Sequence, residues 1–131
     1  MSYLIVAFAT DDGVKYTSRH FGDARRFQIY SMSPSNTEFL KEIRNSTEED
    51  DSDVHANPKK AGSITRLLKQ ENVQVAVSKV FGQNIKRIKT KFVCVLIKPD
   101  LISESILLLQ QEFDKIHNEW EKGKARSFLI L

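Results

Sequence analysis

YLIVAFA, Tyr3 to Ala9, is the stretch on which the fold turns. Seven consecutive apolar residues describe a strand covered on both faces, which places it in the middle of a sheet rather than at its edge. This longest apolar run falls far short of the roughly 20 residues that cross a bilayer, so no transmembrane helix and no membrane partner are expected. Met1 leads into it with neither a basic n-region nor a small-residue cleavage site, so no secretory signal is expected either.

Working outward, Phe27 to Met32 alternates with period two, Phe27 and Ile29 on one face and Gln28 and Tyr30 on the other. Ser33-Pro34-Ser35-Asn36 is turn chemistry, and Thr37 to Ile43 returns as a third strand of an antiparallel meander. Asn57-Pro58 starts a helix, because Asn caps free N–H groups and proline loses nothing at the first position. Its stripe is Ala61, Ile64, Leu67 and Leu68, and Asn72 stops it. Val73 to Val77 reads as a short buried strand, Gly82 to Lys89 as a short basic helix with Ile85 and Ile88 inward, and Phe92 to Ile97 as another buried strand. Pro99-Asp100 opens the longest helix, with Ile102, Ile106, Leu109, Phe113, Ile116 and Trp120 at spacings of four and three, ended by Gly123. The order is β-β-β-α-β-α-β-α. Right-handed crossovers then make strands one, four and five parallel. The expected architecture is an α/β ribonuclease H-like motif: a mixed five-stranded sheet of order 3-2-1-4-5 with helices on both faces. The tail Ser127 to Leu131 is left as an added edge strand or a contact with a second subunit.

The chain has 131 residues, and 20 basic against 17 acidic side chains leave a formal charge of only +3. That length suits one domain over residues 1–131, with a flexible acidic loop at about 45–57 and a C-terminal extension at about 123–131. The loop reading rests on EEDDSD, Glu48 to Asp53, where five of six residues are carboxylates that repel one another. From Asn72 to Pro99 there are six basic residues and no acid. Lys86, Arg87, Lys89 and Lys91 read as a solvated helix face, in preference to a surface for an acidic partner, and nucleic acid is not an expected partner. A single cysteine, Cys94, excludes an intramolecular disulfide and every multi-thiolate site, and the expected location is cytoplasmic. In the middle of its apolar strand, Cys94 reads as a small hydrophobe.

Winding of the sheet reverses between strands one and four, and ligands bind beyond the carboxyl ends of strands at such a point. The segments delivered there are Ala9-Thr10-Asp11-Asp12-Gly13 and Ser78-Lys79-Val80-Phe81-Gly82. The second leads into a helix whose first N–H groups, from about Gly82 to Ile85, suit an anion, with the charge of Lys79 beside them. Asp11 and Asp12 invite a magnesium-dependent phosphoryl-transfer reading, but the other strands supply no converging carboxylates, and Asp-Asp-Gly reads as turn chemistry. His20, just before Phe21-Gly22, is open to three readings: imidazole ligand to a transition metal, general base, or turn residue. His55 and His117 read as surface or boundary residues. No phosphate-binding glycine loop and no nucleophile elbow are present.

Asp11-Asp12-Gly13, then Thr17-Ser18-Arg19-His20-Phe21-Gly22-Asp23-Ala24 and the strand Phe27-Gln28-Ile29-Tyr30, resemble the dinitrogenase iron-molybdenum cofactor biosynthesis family, the NifX/NifY-like domain. Lys60-Ala61-Gly62, Leu67-Leu68 and Phe81-Gly82-Gln83-Asn84-Ile85-Lys86-Arg87 resemble its second half. The likeness runs from about Leu4 to Ile97. It implies a small non-catalytic domain that binds or carries iron-sulfur or iron-molybdenum cluster precursors, with cluster donor and acceptor proteins as partners and a monomer or weak homodimer as the working form. By motif it implies His20 as metal ligand, while Asp11, Asp12, Lys79, Phe81, Gly82 and Asn84, at the switch-point loops, are the expected cofactor-binding positions. The alternative is a regulatory or protein-interaction module of the same fold that has lost the cargo. Two departures stand out: the turn after strand four is Ser78-Lys79-Val80-Phe81-Gly82 where the family often has a glycine-rich one, and the last helix and tail extend past the usual end.

Overall fold

β1 (Leu4–Thr10) divides its side chains between two cores. Leu4, Val6 and Phe8 enter one and Ala7 and Ala9 the other, and none of the five is more than 2 % exposed. The continuous apolar run of the sequence is thus the signature of a strand between two helical layers. A computed structural model describes residues 3–46 and 58–131 of the chain. The acidic run Glu48 to Asp53 and His55 lie outside the described residues.

On one side β1 pairs antiparallel with β2 (Arg26–Met32), which turns through Ser33–Asn36 into antiparallel β3 (Thr37–Arg44). On the other it pairs in parallel with β4 (Val75–Ser78), and β4 pairs in parallel with β5 (Val93–Leu96). Strands one, four and five are parallel, as expected. The sheet has six strands rather than five, because the tail adds β6 (Leu129–Ile130) in parallel beside β5, giving the order 3-2-1-4-5-6. Of the two fates open to Ser127–Leu131, the chain takes the edge strand. Arg126 pins it there: its guanidinium donates to the Trp120 carbonyl at 2.8 and 3.1 Å and to the Thr90 carbonyl at 3.0 Å, and lies 4.2 Å over the Trp120 ring. Glu119, buried, accepts the Ser127 N–H at 2.9 Å.

α1 (Pro58–Lys69) starts at Pro58 and covers one face of the sheet with Ala61, Ile64 and Leu68. Asn72 stops it in the left-handed region, φ 60°, while the Asn72 and Val73 amides reach back to the Lys69 and Leu68 carbonyls at 3.1 and 3.2 Å. That is a Schellman ending with asparagine in glycine's usual place. α2 (Ile85–Ile88) is one turn on the same face, with Ile88 buried and Lys86, Arg87 and Lys91 exposed.

The opposite face carries two helices where the sequence reads as one. α3 (Ile102–Gln111) and α4 (Phe113–Glu121) meet at Glu112, whose φ of −98° and ψ of 16° leave the helical region without breaking the ladder. The Glu112 amide still donates to Leu108, and Glu112 still accepts from Ile116. A stripe repeating every 3.5 residues drifts about 20° per heptad on a straight helix, and the distortion lets both halves keep theirs on the sheet. Ile102, Leu109, Phe113 and Ile116 are buried there, each worth about 1.5–3 kcal/mol. Ile106 packs half-buried against the same core, and Ser105 beside it is fully buried, its hydroxyl meeting the buried Tyr16 hydroxyl from the first loop. Among the described residues, no helix is long and apolar enough to cross a membrane.

Candidate functional site

Beyond the carboxyl ends of β1 and β4, two loops are tied together by backbone. The Phe21 amide donates to the Val80 carbonyl at 2.8 Å, and the Phe21 ring stacks on the Phe81 ring with centroids 5.0 Å apart and planes 15° apart. Both rings are buried, and Phe27 of β2 packs against Phe21 at 5.0 Å. Phe21 and Phe81 are therefore core residues that hold the two loops in register. His20 and Gly82, each next to one of these phenylalanines, are brought face to face as a result.

Their contact is close. A Cβ at Gly82 would lie 2.6 Å from His20 Nδ1 and 2.7 Å from Cε1, and Gly82 has φ +70°, a conformation costly to any other residue. The imidazole occupies the space a side chain would need. His20 is partly exposed, and among the described residues its imidazole makes no hydrogen bond.

The first loop is held by its own carboxylates. Asp12 accepts the Val14 and Lys15 amides at 2.8 and 2.9 Å, closing the turn as its sequence suggested, and those two bonds hold its carboxyl below the ordinary range. Asp11 accepts the Arg25 amide and the Thr17 hydroxyl, each at 2.9 Å, and the Arg19 guanidinium at 3.1 Å. Partial burial opposes its ionisation, but these three donors outweigh it and hold the Asp11 carboxyl below its ordinary value. Asp11 thus welds the start of the loop to the start of β2.

Lys79 differs from expectation. Its ammonium donates to the Lys98 carbonyl at 2.9 Å and pairs with the Asp100 carboxylate, whose pKa is lowered by that hydrogen bond and charge. The charge is shared rather than presented alone beside the second loop. Asp100, expected to open the long helix, spends its carboxylate on Lys79, and α3 begins two residues later without a side-chain cap. The helix N-terminus after Gly82 also offers less than expected, because the Ile85 amide is already taken by the Gly82 carbonyl at 3.3 Å. Asn84 stands just before α2, and its side-chain oxygen accepts from the Arg87 guanidinium at 3.4 Å.

Two groups therefore emerge from the positions singled out in the sequence. Asp11, Asp12 and Lys79 line one cleft of about 530 Å³, together with Lys15, Thr17 and Asp100. His20, Phe81 and Gly82 form the other group, and none of the three lines that cleft. Among the described residues, no three His, Cys, Asp or Glu side chains converge as a metal-binding group. Cys94 is buried in β5, and burial pushes its thiol up to about 12, so it is no thiolate donor.

A family model described as dinitrogenase iron-molybdenum cofactor matches residues 2–111. The chain belongs to the dinitrogenase iron-molybdenum cofactor family. Membership ties it to the binding or biosynthesis of that cofactor and bears out the resemblance carried by Asp11-Asp12-Gly13 and His20-Phe21-Gly22. Among solved structures, a Methanocaldococcus jannaschii protein provisionally described as a dinitrogenase superposes with a TM-score of 0.59. The two share 21 % identity over 85 % of this chain and 91 % of that one, a likeness of fold alone. No curated protein sequence matches the chain. The family match ends at α3, so α4, Arg126 and β6 lie beyond it.

Sequence reading missed the partners more than the positions. Thr17, Arg19 and Arg25 as holders of Asp11, and Asp100 as the partner of Lys79, carry no spacing signal, since they meet only through the fold. The pairing of Phe21 with Phe81 had a signal: each is followed by glycine, and each stands at the mouth of a switch-point loop.

Proposed function

We propose that this chain is a non-catalytic carrier for an iron-sulfur or iron-molybdenum cluster precursor, which it holds through His20 beside Gly82 at the switch point. The observation that carries the reading is an imidazole without a hydrogen-bond partner among the described residues, seated on a left-handed glycine between the two switch-point loops. A neutral imidazole donates a lone pair to iron or molybdenum. With one donor and no converging second or third ligand among the described residues, the cargo is held weakly enough to be handed on, as a carrier requires. Such a donor set does not suit a permanently bound cofactor. Lys79 takes a smaller part than its position suggested, because Asp100 shares its charge. Donor and acceptor proteins of a cofactor pathway would be the partners, with the chain cytoplasmic and monomeric or weakly dimeric.

The test is anaerobic titration of an iron-sulfur or iron-molybdenum cluster into the wild type and His20→Ala, read by absorbance and size exclusion. The wild type should retain cluster and His20→Ala should lose it, because the variant lacks the imidazole nitrogen. Equal retention by both proteins, with equal melting temperatures, would make His20 a turn residue. No retention by either would favour the regulatory or protein-interaction reading.

A further inference from the structure

The two edges of the sheet are guarded differently. β3 carries Glu38, Lys41, Glu42 and Arg44, pairs Lys41 with Glu71 and Glu42 with Arg26, and shifts register opposite Ile29 and Tyr30. Charges and a bulge of this kind keep an edge from pairing with another chain. β6 has only its shortness. It pairs with β5 alone, and residues 127–131 hold neither a charge nor a proline. The Leu131 amide donates to the Leu96 carbonyl at 2.9 Å, so the odd-numbered residues turn their backbone bonds to β5. Phe128 and Ile130 therefore turn theirs outward, where no described strand meets them. Their side chains are uncovered as well. Ile130 is 61 % and Phe128 44 % exposed, on the α1 and α2 side of the sheet, since Ile130 stands opposite Leu96 of that core. Leu96 itself and Ile85 of α2 are only partly buried on that side. The charge around this patch is of one sign. Residues 72–99 and 122–131, which build the edge, hold six and three basic residues and no acid. Among the described residues Lys86, Lys89, Lys98 and Lys124 make no ion pair, and the Lys89 ammonium is close enough to the Cys94 thiol of β5 to act on it. The neighbouring acids are committed elsewhere, Asp100 to Lys79, Glu119 to Lys122 and the Ser127 amide, and Glu121 to His117.

We propose that this edge is a docking site for an acidic partner protein, which adds an extended segment beside β6 as a seventh strand. The partner's backbone takes the outward N–H and C=O groups of Phe128 and Ile130, and its apolar side chains lie on Phe128, Ile130 and Leu96. Its carboxylates meet the unpaired lysines of α2 and those that flank β5 and β6. The lysines of α2, which by sequence read as a solvated face, thus share one surface with an open strand that reaches them only through β5. A nucleic acid suits the place less well, because the outward carbonyl oxygens would face phosphate oxygens. A second copy of the chain suits it less well too, because self-pairing brings two sets of unpaired lysines together. The surface stands apart from the cargo reading, since it includes neither His20 nor Gly82.

The probe is a fluorescent, end-blocked heptapeptide of three valines flanked on each side by two glutamates, titrated by anisotropy into the full chain. Saturable binding is expected, weakening as salt rises, with amide shifts in the protein centred on Phe128, Ile130 and Leu131. The same peptide with lysine in place of glutamate should not bind. A version N-methylated at the three valines, which keeps the charge but loses the backbone donors, should bind about tenfold more weakly. Ile130→Asp, and separately Lys86→Glu combined with Lys89→Glu, should each weaken binding about tenfold, while Arg66→Glu on the exposed face of α1 binds as the wild type does. Melting temperatures are recorded for every variant, and the N-methylated peptide tests the wild-type protein whatever a substitution does to the fold. No saturation below about 1 mM peptide, or equal binding of the lysine or N-methylated peptide, would overturn the proposal. Equal binding by Ile130→Asp and the wild type would overturn it as well. So would tighter binding of a single-stranded oligouridylate than of the peptide, which would make the surface a nucleic-acid site. A wild-type dimer in sedimentation that Ile130→Asp abolishes would also overturn it, by giving the edge to a second copy.

Discussion

Replacing Gly82 by alanine should destabilise the protein by about 2–3 kcal/mol, the sum of two costs of different origin. The first is conformational: at φ +70° a side chain crowds its own backbone, at roughly 1–2 kcal/mol. The second is steric and belongs to His20. A methyl group at this position would meet Nδ1, Cε1 and Cγ at 2.6, 2.7 and 3.0 Å, inside the distances real Cβ contacts allow. The ring is partly exposed and ends a short side chain, so it swings off its rotamer rather than displacing backbone, at about 1 kcal/mol. His20→Ala removes the second cost and leaves the first. A double-mutant cycle by urea unfolding should therefore show Gly82→Ala costing about 1 kcal/mol less in the His20→Ala background than in the wild type, and each kcal/mol should lower Tm by roughly 4 °C. Additivity of the two substitutions within about 0.3–0.5 kcal/mol would refute the contact. The same variant separates the presence of an imidazole from its placement. Gly82→Ala keeps the histidine but dislodges it, so under the carrier reading it should release cluster much as His20→Ala does.

Asp11→Ala should cost about 1–3 kcal/mol at neutral pH, since three donors lose one acceptor. Because the folded carboxyl is held below 3.8, the unfolded chain binds the proton first as pH falls. The stabilisation is thus complete above the ordinary value and is lost as pH drops toward the folded one, so the variant should show a flatter loss of stability in acid; an unchanged slope would count against this role. Arg126→Met should free the tail, destabilise by about 1–3 kcal/mol and shift the emission of Trp120, the only tryptophan; an unaltered spectrum would show that the guanidinium does not seat on the ring. Cys94 should resist alkylation in the folded protein at pH 8 and react once urea unfolds it, whereas prompt labelling of the native state would contradict its burial in β5.

How far the sequence could be read follows from the range of the interactions that decide each feature. Strands β1, β4 and β5 were legible because their burial on both faces is written into uninterrupted runs, and Asn72 because a helix ending in the left-handed region is a local event. The distortion at Glu112 has no proline or glycine to mark it, since it answers to the sheet beneath α3 and α4. β6 was ambiguous because two paired residues carry almost no pattern, and what holds them is Arg126, whose partners Trp120 and Thr90 are six and 36 positions away. The same distinction runs through the site. The loops after β1 and β4 could be placed from topology alone, and the Asp12 turn from three adjacent residues. Lys79 could not be read correctly from its neighbours, because its charge is answered from 21 residues away. His20 and Gly82 gave the right positions without their relation. Two loops that each carry a phenylalanine and a glycine, at the mouths of adjacent parallel-paired strands, have their rings driven together by the core, and whatever flanks those rings must then touch. A histidine on one side is tolerated only if the other side has no Cβ, so the glycine after Phe81 is a condition for the imidazole before Phe21 to stand where it does.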